Sequence, residues 1–449
     1  MSKNYVSKKC IGLFAALILF ISAACFNTHA SGFDAEVRVG INFSSSALED
    51  ATVSCGDDVL NISISGYDEP FSVSLNMLKL SVSDGTLYAK TIFGGDIAYA
   101  ESGRSMTISP ENSSSGLILN GTHYYGSLEF YANSDGKITA INVLNIDEYI
   151  KGVLPSEIYP SWDMEALKAA AVVSRTYALK NAMASSHSSA GFDVCNNTHC
   201  QMYEGTKKEN ANTNKAIEDT AGIVVMYNGA LATTPYHSST GGYTASAAEV
   251  WGGKPENYPY LTNVMNPYED YRNVPNGKWL SVVEPSQLSS YISATYLSKL
   301  PGGNLSFNYD KTKNGYISHM TVSDEAGNTV SLNTADKVRS FFGRLVKSAN
   351  FGIAKTYIPS STYSTGVTVL SAEGEYDLTG LSQYEYITSD GIKTATSFTE
   401  VLVFDGKGYG HGVGMSQFGA RDMANAGFTY EEILATYYPG TELVNINHQ

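Results

Sequence analysis

Cations are scarce in this 449-residue chain: 29 lysines and arginines stand against 44 aspartates and glutamates, a formal net charge of −15. That deficit excludes a sequence-independent grip on nucleic-acid phosphates and disfavours a polyanionic partner. Cysteine is scarce too, with five in all. Cys10 and Cys25 fall in the N-terminal apolar segment, and the remaining Cys55, Cys195 and Cys200 are an odd set that makes a poor disulfide framework. After Phe26 no stretch is long and apolar enough to cross a bilayer. Absent as well are a Walker loop, a G-x-G-x-x-G fingerprint, a fixed-period repeat and a low-complexity linker. The nearest approach to a G-x-S-x-G nucleophile elbow, Gly414 to Phe418, ends in Phe where the second Gly is required.

What is present begins with three lysines, an apolar run from Ile11 to Phe26 and the small-residue site Thr28-His29-Ala30. This pattern reads as an export signal over residues 1–30, cleaved near Ala30, with lipidation at Cys25 as the weaker alternative because Ser22 stands where a lipobox has Leu. The mature protein is then expected outside the cytoplasm, secreted or wall-associated, touching membrane only through that signal or anchor.

From Ala35 to Leu119 the text is strand-like, with β-formers clustered between Gly, Asp and Ser turns and no helical period. A further strand run ends in "INVLNI" and leads through Asp147 and Glu148 into "LPSEIYPSWDMEALKAAAVVSRTYALKNA". Here Glu157 is expected on a proline-bounded turn, followed by a helix capped by Ser161 with small residues on one face. Between Lys278 and Thr399 lies another helix-and-strand region, whose clearest helix runs from Asp336 to Leu345. The fold class is therefore α+β: residues 31–116 form a β-rich accessory region, and 117–449 form a compact domain with a possible insertion at 278–399.

Four constellations carry chemistry. Glu157, among Leu154, Ile158, Tyr159 and Trp162, has the partly apolar setting that raises a carboxyl pKa and suits a general acid; it can equally well satisfy backbone donors near the helix start. No second acid nearby looks like the dedicated partner that ordinary glycosidases need. His187, Cys195, His199 and Cys200 are a sufficient donor set for tetrahedral zinc, with a Cys195–Cys200 disulfide or free thiols as the alternatives. "TPYHSSTGGYTASAAEVWGG" offers Tyr236, His237, Ser238, Thr240 and Tyr243, with Trp251 as a stacking surface, for sugar binding. "GKGYGHGVGMSQFGA" alternates glycine around His411 and brings backbone close to a ligand, or else is a tight structural turn.

Taken in order, "LNIDEYIKGVLPSEIYPSWDMEALKAAAVVSRTYAL", "DVCNNTHCQMYEG", "TPYHSSTGGYTASAAEVWGG", "PYL" and "GYGHGVGMSQFGARDMANAGFTYEEILATYYPGTEL" resemble the SpoIID/LytB family of bacterial cell-wall proteins over roughly Leu117 to Leu443. The resemblance implies a compact SpoIID-like catalytic domain and a peptidoglycan lytic transglycosylase. In it Glu157 of the P-S-E motif would act as the single acid/base, leaving 1,6-anhydro-MurNAc ends in sporulation or wall remodelling. It also implies Zn2+ held structurally by His187, Cys195, His199 and Cys200, and glycan strands as substrate. Arg175, Tyr236, His237, Ser238, Thr240, Tyr243, His411, Ser416 and Gln417 would orient the strand, although Arg175 reads equally well as a helix-surface ion pair. The LytB branch gives the alternative: a non-catalytic enhancer of an N-acetylmuramoyl-L-alanine amidase, with that amidase as partner.

Overall fold

The computed structural model describes residues 35–67, 69–184, 187–359, 384–388, 391–395 and 398–448. The expected export signal lies outside the described residues. The α+β class is observed, with a β-rich N-terminal part leading into helices.

Residues 36–145, with Val194–Cys195 added at one edge, build two sheets. The first has seven strands in the order Val194–Cys195, Glu36–Asn42, Ile138–Asn145, Ser127–Ala132, Ser105–Pro110, Leu60–Ile64 and Phe71–Val73. The second has six, in the order Thr122–Tyr124, Leu117–Leu119, Asp50–Ser54, Met77–Ser83, Thr86–Lys90 and Asp96–Ala100. Alternation sends Leu60, Ile62, Ile108, Leu128 and Phe130 of one sheet and Val53, Leu78, Leu80 and Leu87 of the other into a shared core. Strands from both sides of position 117 pair within these sheets, since Leu117–Leu119 adds to Asp50–Ser54 and Ile138–Asn145 pairs with Glu36–Asn42. The expected division at 116/117 thus runs through the two sheets.

Ile138–Asn145 is buried on both faces over most of its length and delivers the chain to helix α1 (Ile146–Glu157), whose first turn is capped by Asn145 accepting from Asp147 N at 2.9 Å. Glu157 is therefore the last residue of a helix, with Pro155 inside its final turn, rather than part of a free-standing loop. Helix α2 (Met164–Ala184) starts at Asp163, whose Oδ1 accepts from Glu165 N at 2.9 Å; Ser161, the expected cap, is exposed. The small residues of α2 are buried all round, from Ala166 and Leu167 through Ala169 to Thr176, so α2 is the central post of the helical layer. Packed on it are α1, helix α3 (Ala211–Asp219), the strand Ile223–Tyr227 and the helices Gln417–Asn425 and Tyr430–Tyr437.

Arg175 stands at the middle of this layer with its side chain fully buried. Its Nε donates to Asp147 Oδ1 at 2.7 Å, and its Nη1 and Nη2 donate to the carbonyls of Ile223 and Ile217 at 3.1 and 3.2 Å. The expectation that Arg175 orients a sugar, or sits in a surface pair, is corrected: no face of the guanidinium reaches solvent. The region from Lys278 to Lys407 has an apolar core of its own around Phe341, Phe342, Phe351 and Phe404, and its helix runs Ala335–Phe342 before a single 3-10 turn to Leu345.

Arg175→Met keeps the volume but strands Asp147 and two carbonyls. Chemical denaturation should show a loss of about 3 kcal/mol or more, and an unchanged midpoint would show that the pairing adds nothing to the fold.

Candidate functional site

The motif blocks converge on Glu157. Its Oε1 accepts from Met202 N at 3.0 Å, tying the end of α1 to the segment after Cys200, and its backbone carbonyl accepts from Gln417 Nε2 at 2.9 Å. Beside the carboxylate is a cavity of about 10 Å³ lined by Ile158, Ala170, Ser174, Tyr236 and Met415. That is the scale of one water. Burial raises the Glu157 pKa, opposed by the Met202 amide and Lys208. Behind it Gln201 donates to Tyr236 Oη at 3.3 Å and accepts from Tyr149 Oη at 3.2 Å, so the phenol facing Glu157 is itself held.

The two loops expected to grip sugar instead grip each other. Tyr236–His237 pairs in parallel with Met415–Ser416. His237 is 4% exposed, Thr240 and Ser416 0%. His237 Nδ1 lies 3.1 Å from Val413 O, its Nε2 is buried with no hydrogen-bond partner among the described residues, and burial together with His411 lowers its pKa to about 3, so the ring is neutral. His411 Nδ1 accepts from Val413 N at 3.0 Å, and burial with the nearby Arg339 charge lowers its pKa to about 4. Ser416 Oγ accepts from Gly419 N at 3.0 Å and lies 3.3 Å from Ser238 O. Gln417 is spent on Glu157.

Gly410 and Gly414 have φ of 109° and 70°. A Cβ at Gly410 would lie 2.8 Å from His237 Cβ, and one at Gly414 would overlap Pro235 O. The alternating glycines thus let the two loops touch, the structural one of the two readings of that run. Tyr243 and Trp251 do reach solvent, at 39% and 43%. Tyr159 is 57% exposed, against Trp162 and beside Phe418, with the Arg421 guanidinium 5.6 and 4.7 Å from the Trp162 and Phe418 rings.

Sequence reasoning missed Glu269. This buried carboxylate accepts from Thr240 N at 2.8 Å and Thr240 Oγ1 at 3.0 Å, and burial raises its pKa. Its only sequence signal was an acid after "NPY", indistinguishable from the neighbouring Asp270.

A second centre lies at the end of the seven-stranded sheet, where Cys195 pairs in parallel with Gly40. The donor atoms of His187, Cys195, His199 and Cys200 all lie within 4.8 Å of one another. Cys200 Sγ is 3.3 Å from His187 Nε2 and 3.4 Å from His199 Nδ1, and Cys195 Sγ is 3.6 Å from the same Nδ1. Tetrahedral bonds of about 2.0–2.3 Å place N and S ligands roughly 3.5 Å apart, so the set fits an N/S-seeking ion and leaves no open position. Cys195 and Cys200 are free thiols, and burial pushes the Cys200 thiol up to about 12. A bound cation would reverse that shift, because coordination takes the thiolate.

A carboxyl whose folded pKa is raised loses stability as pH climbs from the ordinary glutamate range through that raised value. Glu157→Gln keeps an acceptor for Met202 N, so its melting temperature should match wild type near pH 4 and exceed it at pH 7. A difference that does not change with pH would contradict the burial of this charge.

A family model described as a stage II sporulation protein matches residues 134–227. The chain is 32% identical over 367 residues to an amidase enhancer of Bacillus subtilis, covering 76% of this chain and 47% of that protein, so it spans about half of that relative's length. It is 31% identical over 332 residues to an uncharacterized protein of Brachyspira hyodysenteriae, covering 74% and 75% of the two. Stage II sporulation protein D of Bacillus subtilis is 24% identical over 317 residues, covering 68% and 76%. The expectation of a lytic transglycosylase is overturned: the 32% relative is named for enhancing an amidase, not for cutting glycan. The order of the sequence blocks, their convergence on one centre and these relatives lead to one conclusion: the chain belongs to the SpoIID/LytB family.

Proposed function

We propose that this protein works at the bacterial cell wall as an enhancer of an N-acetylmuramoyl-L-alanine amidase, binding peptidoglycan and the amidase without cutting glycan. The observation that carries this reading is the 32% identity to an amidase enhancer, which spans 76% of this chain. The export signal read at residues 1–30 supports the location. The exposed rings of Tyr159, Tyr243 and Trp251 supply stacking surface for saccharide or protein around this centre. In this reading Glu157, Tyr236, His237, Ser238, Thr240, His411, Ser416 and Gln417 shape the rigid platform under that surface.

The His187, Cys195, His199 and Cys200 set is proposed to hold Zn2+ structurally, bracing the segment that brings Met202 N to Glu157. The ion supplies cross-linking of the loop to the sheet edge and no reaction step.

Wall digestion by a purified amidase, followed as released peptide, should accelerate several-fold when the full chain is added, and equally with Glu157→Gln. No acceleration by the wild-type chain would reject the reading. Elemental analysis should find one zinc per chain, with Cys195→Ser losing it and melting lower; a metal-free wild type of unchanged melting temperature would remove zinc from the account.

A further inference from the structure

The two sulfurs of the His187, Cys195, His199 and Cys200 cluster have a second chemistry open to them. Cys195 and Cys200 are free thiols whose sulfurs lie within 4.8 Å of each other, in a set that also contains both imidazoles. A disulfide holds its sulfurs about 2.05 Å apart, so closing this pair draws both sulfurs out of their ligand positions. The two states exclude each other: a metal takes the sulfurs as thiolates, and a disulfide sulfur carries no such charge. Cys55, the third thiol among the described residues, is buried and outside the cluster, so the pair closes on itself.

The surroundings set the order of events. Cys195 is 2% exposed and fixed at the sheet edge by its pairing with Gly40. Cys200 is half-buried at the end of a turn, where its N–H donates to Asn197 O at 3.1 Å, and its neighbour His199 is exposed. A reagent arriving from solvent meets Cys200 first, with Cys195 behind it. The same turn runs straight into the Glu157 centre: Gln201 bonds to Tyr149 and Tyr236, and Met202 N donates to Glu157 Oε1 at 3.0 Å. On the opposite side His187 is stacked on Phe192, 4.8 Å between centroids, so without an ion it stays with that ring and no longer ties down the turn.

Resting on the zinc reading above, we propose that Cys195 and Cys200 form a thiol–disulfide switch that gives up the metal and loosens the hold on Glu157 when the surroundings turn oxidising. The oxidant is a small-molecule disulfide, RSSR. The Cys200 thiolate attacks one of its sulfurs, the S–S bond of RSSR breaks and RS⁻ leaves. The Cys195 thiolate then attacks the Cys200 sulfur of the mixed disulfide and a second RS⁻ leaves. Two electrons pass from the cysteine pair to RSSR, and only two imidazoles remain to hold the cation. A dithiol reductant reverses both exchanges and restores the ligand set. An exported protein meets the oxidising conditions that this exchange needs.

Titration of the zinc-loaded full chain with glutathione disulfide tests it, with released zinc read by a chromogenic chelator, thiols counted after denaturation and adducts read by intact mass. The thiol count should fall by two per chain, one zinc should appear for each pair of thiols lost, and a dithiol with added zinc should restore both. Hydrogen exchange at the Met202 amide should quicken several-fold in the oxidised chain. Cys55→Ala should switch as wild type does. Zinc released with all thiols intact, a glutathione adduct that never resolves, unchanged exchange at Met202, or a Cys55→Ala chain that no longer switches would each overturn the proposal. Elemental analysis before oxidation separates it from the reading it rests on. A chain that holds zinc and keeps its thiols in excess glutathione disulfide rejects the switch alone, whereas a chain that holds no zinc rejects the metal reading and the switch with it.

Discussion

One buried guanidinium organises the helical layer. Arg175 of α2 bonds at once to α1, to the last turn of α3 and to the strand that follows it. A buried arginine is costly unless it is paired and hydrogen-bonded, and here each of its three nitrogens donates once, to a carboxylate and to two carbonyls. With α1 fixed to α2 in this way, the end of α1 has one position. Glu157 therefore meets Met202 N and Gln417 without a flexible loop intervening.

From that fixed point the remaining blocks are held by backbone contacts rather than by side chains aimed at a ligand. Tyr236–His237 and Met415–Ser416 form a two-stranded parallel ladder. The glycines at 410 and 414 permit its closeness, and Glu269 closes the far side through Thr240. A hydroxyl- and histidine-rich motif can look like binding chemistry and be spent on internal bonding. Ser416 and Thr240 are the clearest instances, since both are fully buried and their hydroxyls bond to Gly419 N and to Glu269.

Much of the fold was legible in the text. The alternating strands of residues 36–145, the long helix α2 and the closing pair of helices all follow from period and capping residues. The His187, Cys195, His199 and Cys200 cluster was legible from donor chemistry, and its donors do come together. What periodicity cannot carry is depth. Arg175 sits in a helix text that reads equally well as a surface, and only the packing of α1, α3 and the strand Ile223–Tyr227 around it shows otherwise. Glu269 was illegible for the converse reason, because a single acid beside Asp270 says nothing of which one turns inward. Residues on both sides of 117 read as separate strand runs, and their pairing across the sheets is a long-range fact that no local window contains.

The account treats Glu157 as a clasp between α1 and the Cys200–Met202 segment, in a family whose members put one scaffold to different uses at the wall. Incubation of the chain alone with peptide-free glycan strands, with strand lengths and sugar ends read by mass spectrometry, tests this most directly. The account predicts strands of unchanged length and no new ends after prolonged incubation. Shortened strands carrying new sugar ends, lost again with Glu157→Gln, would contradict it.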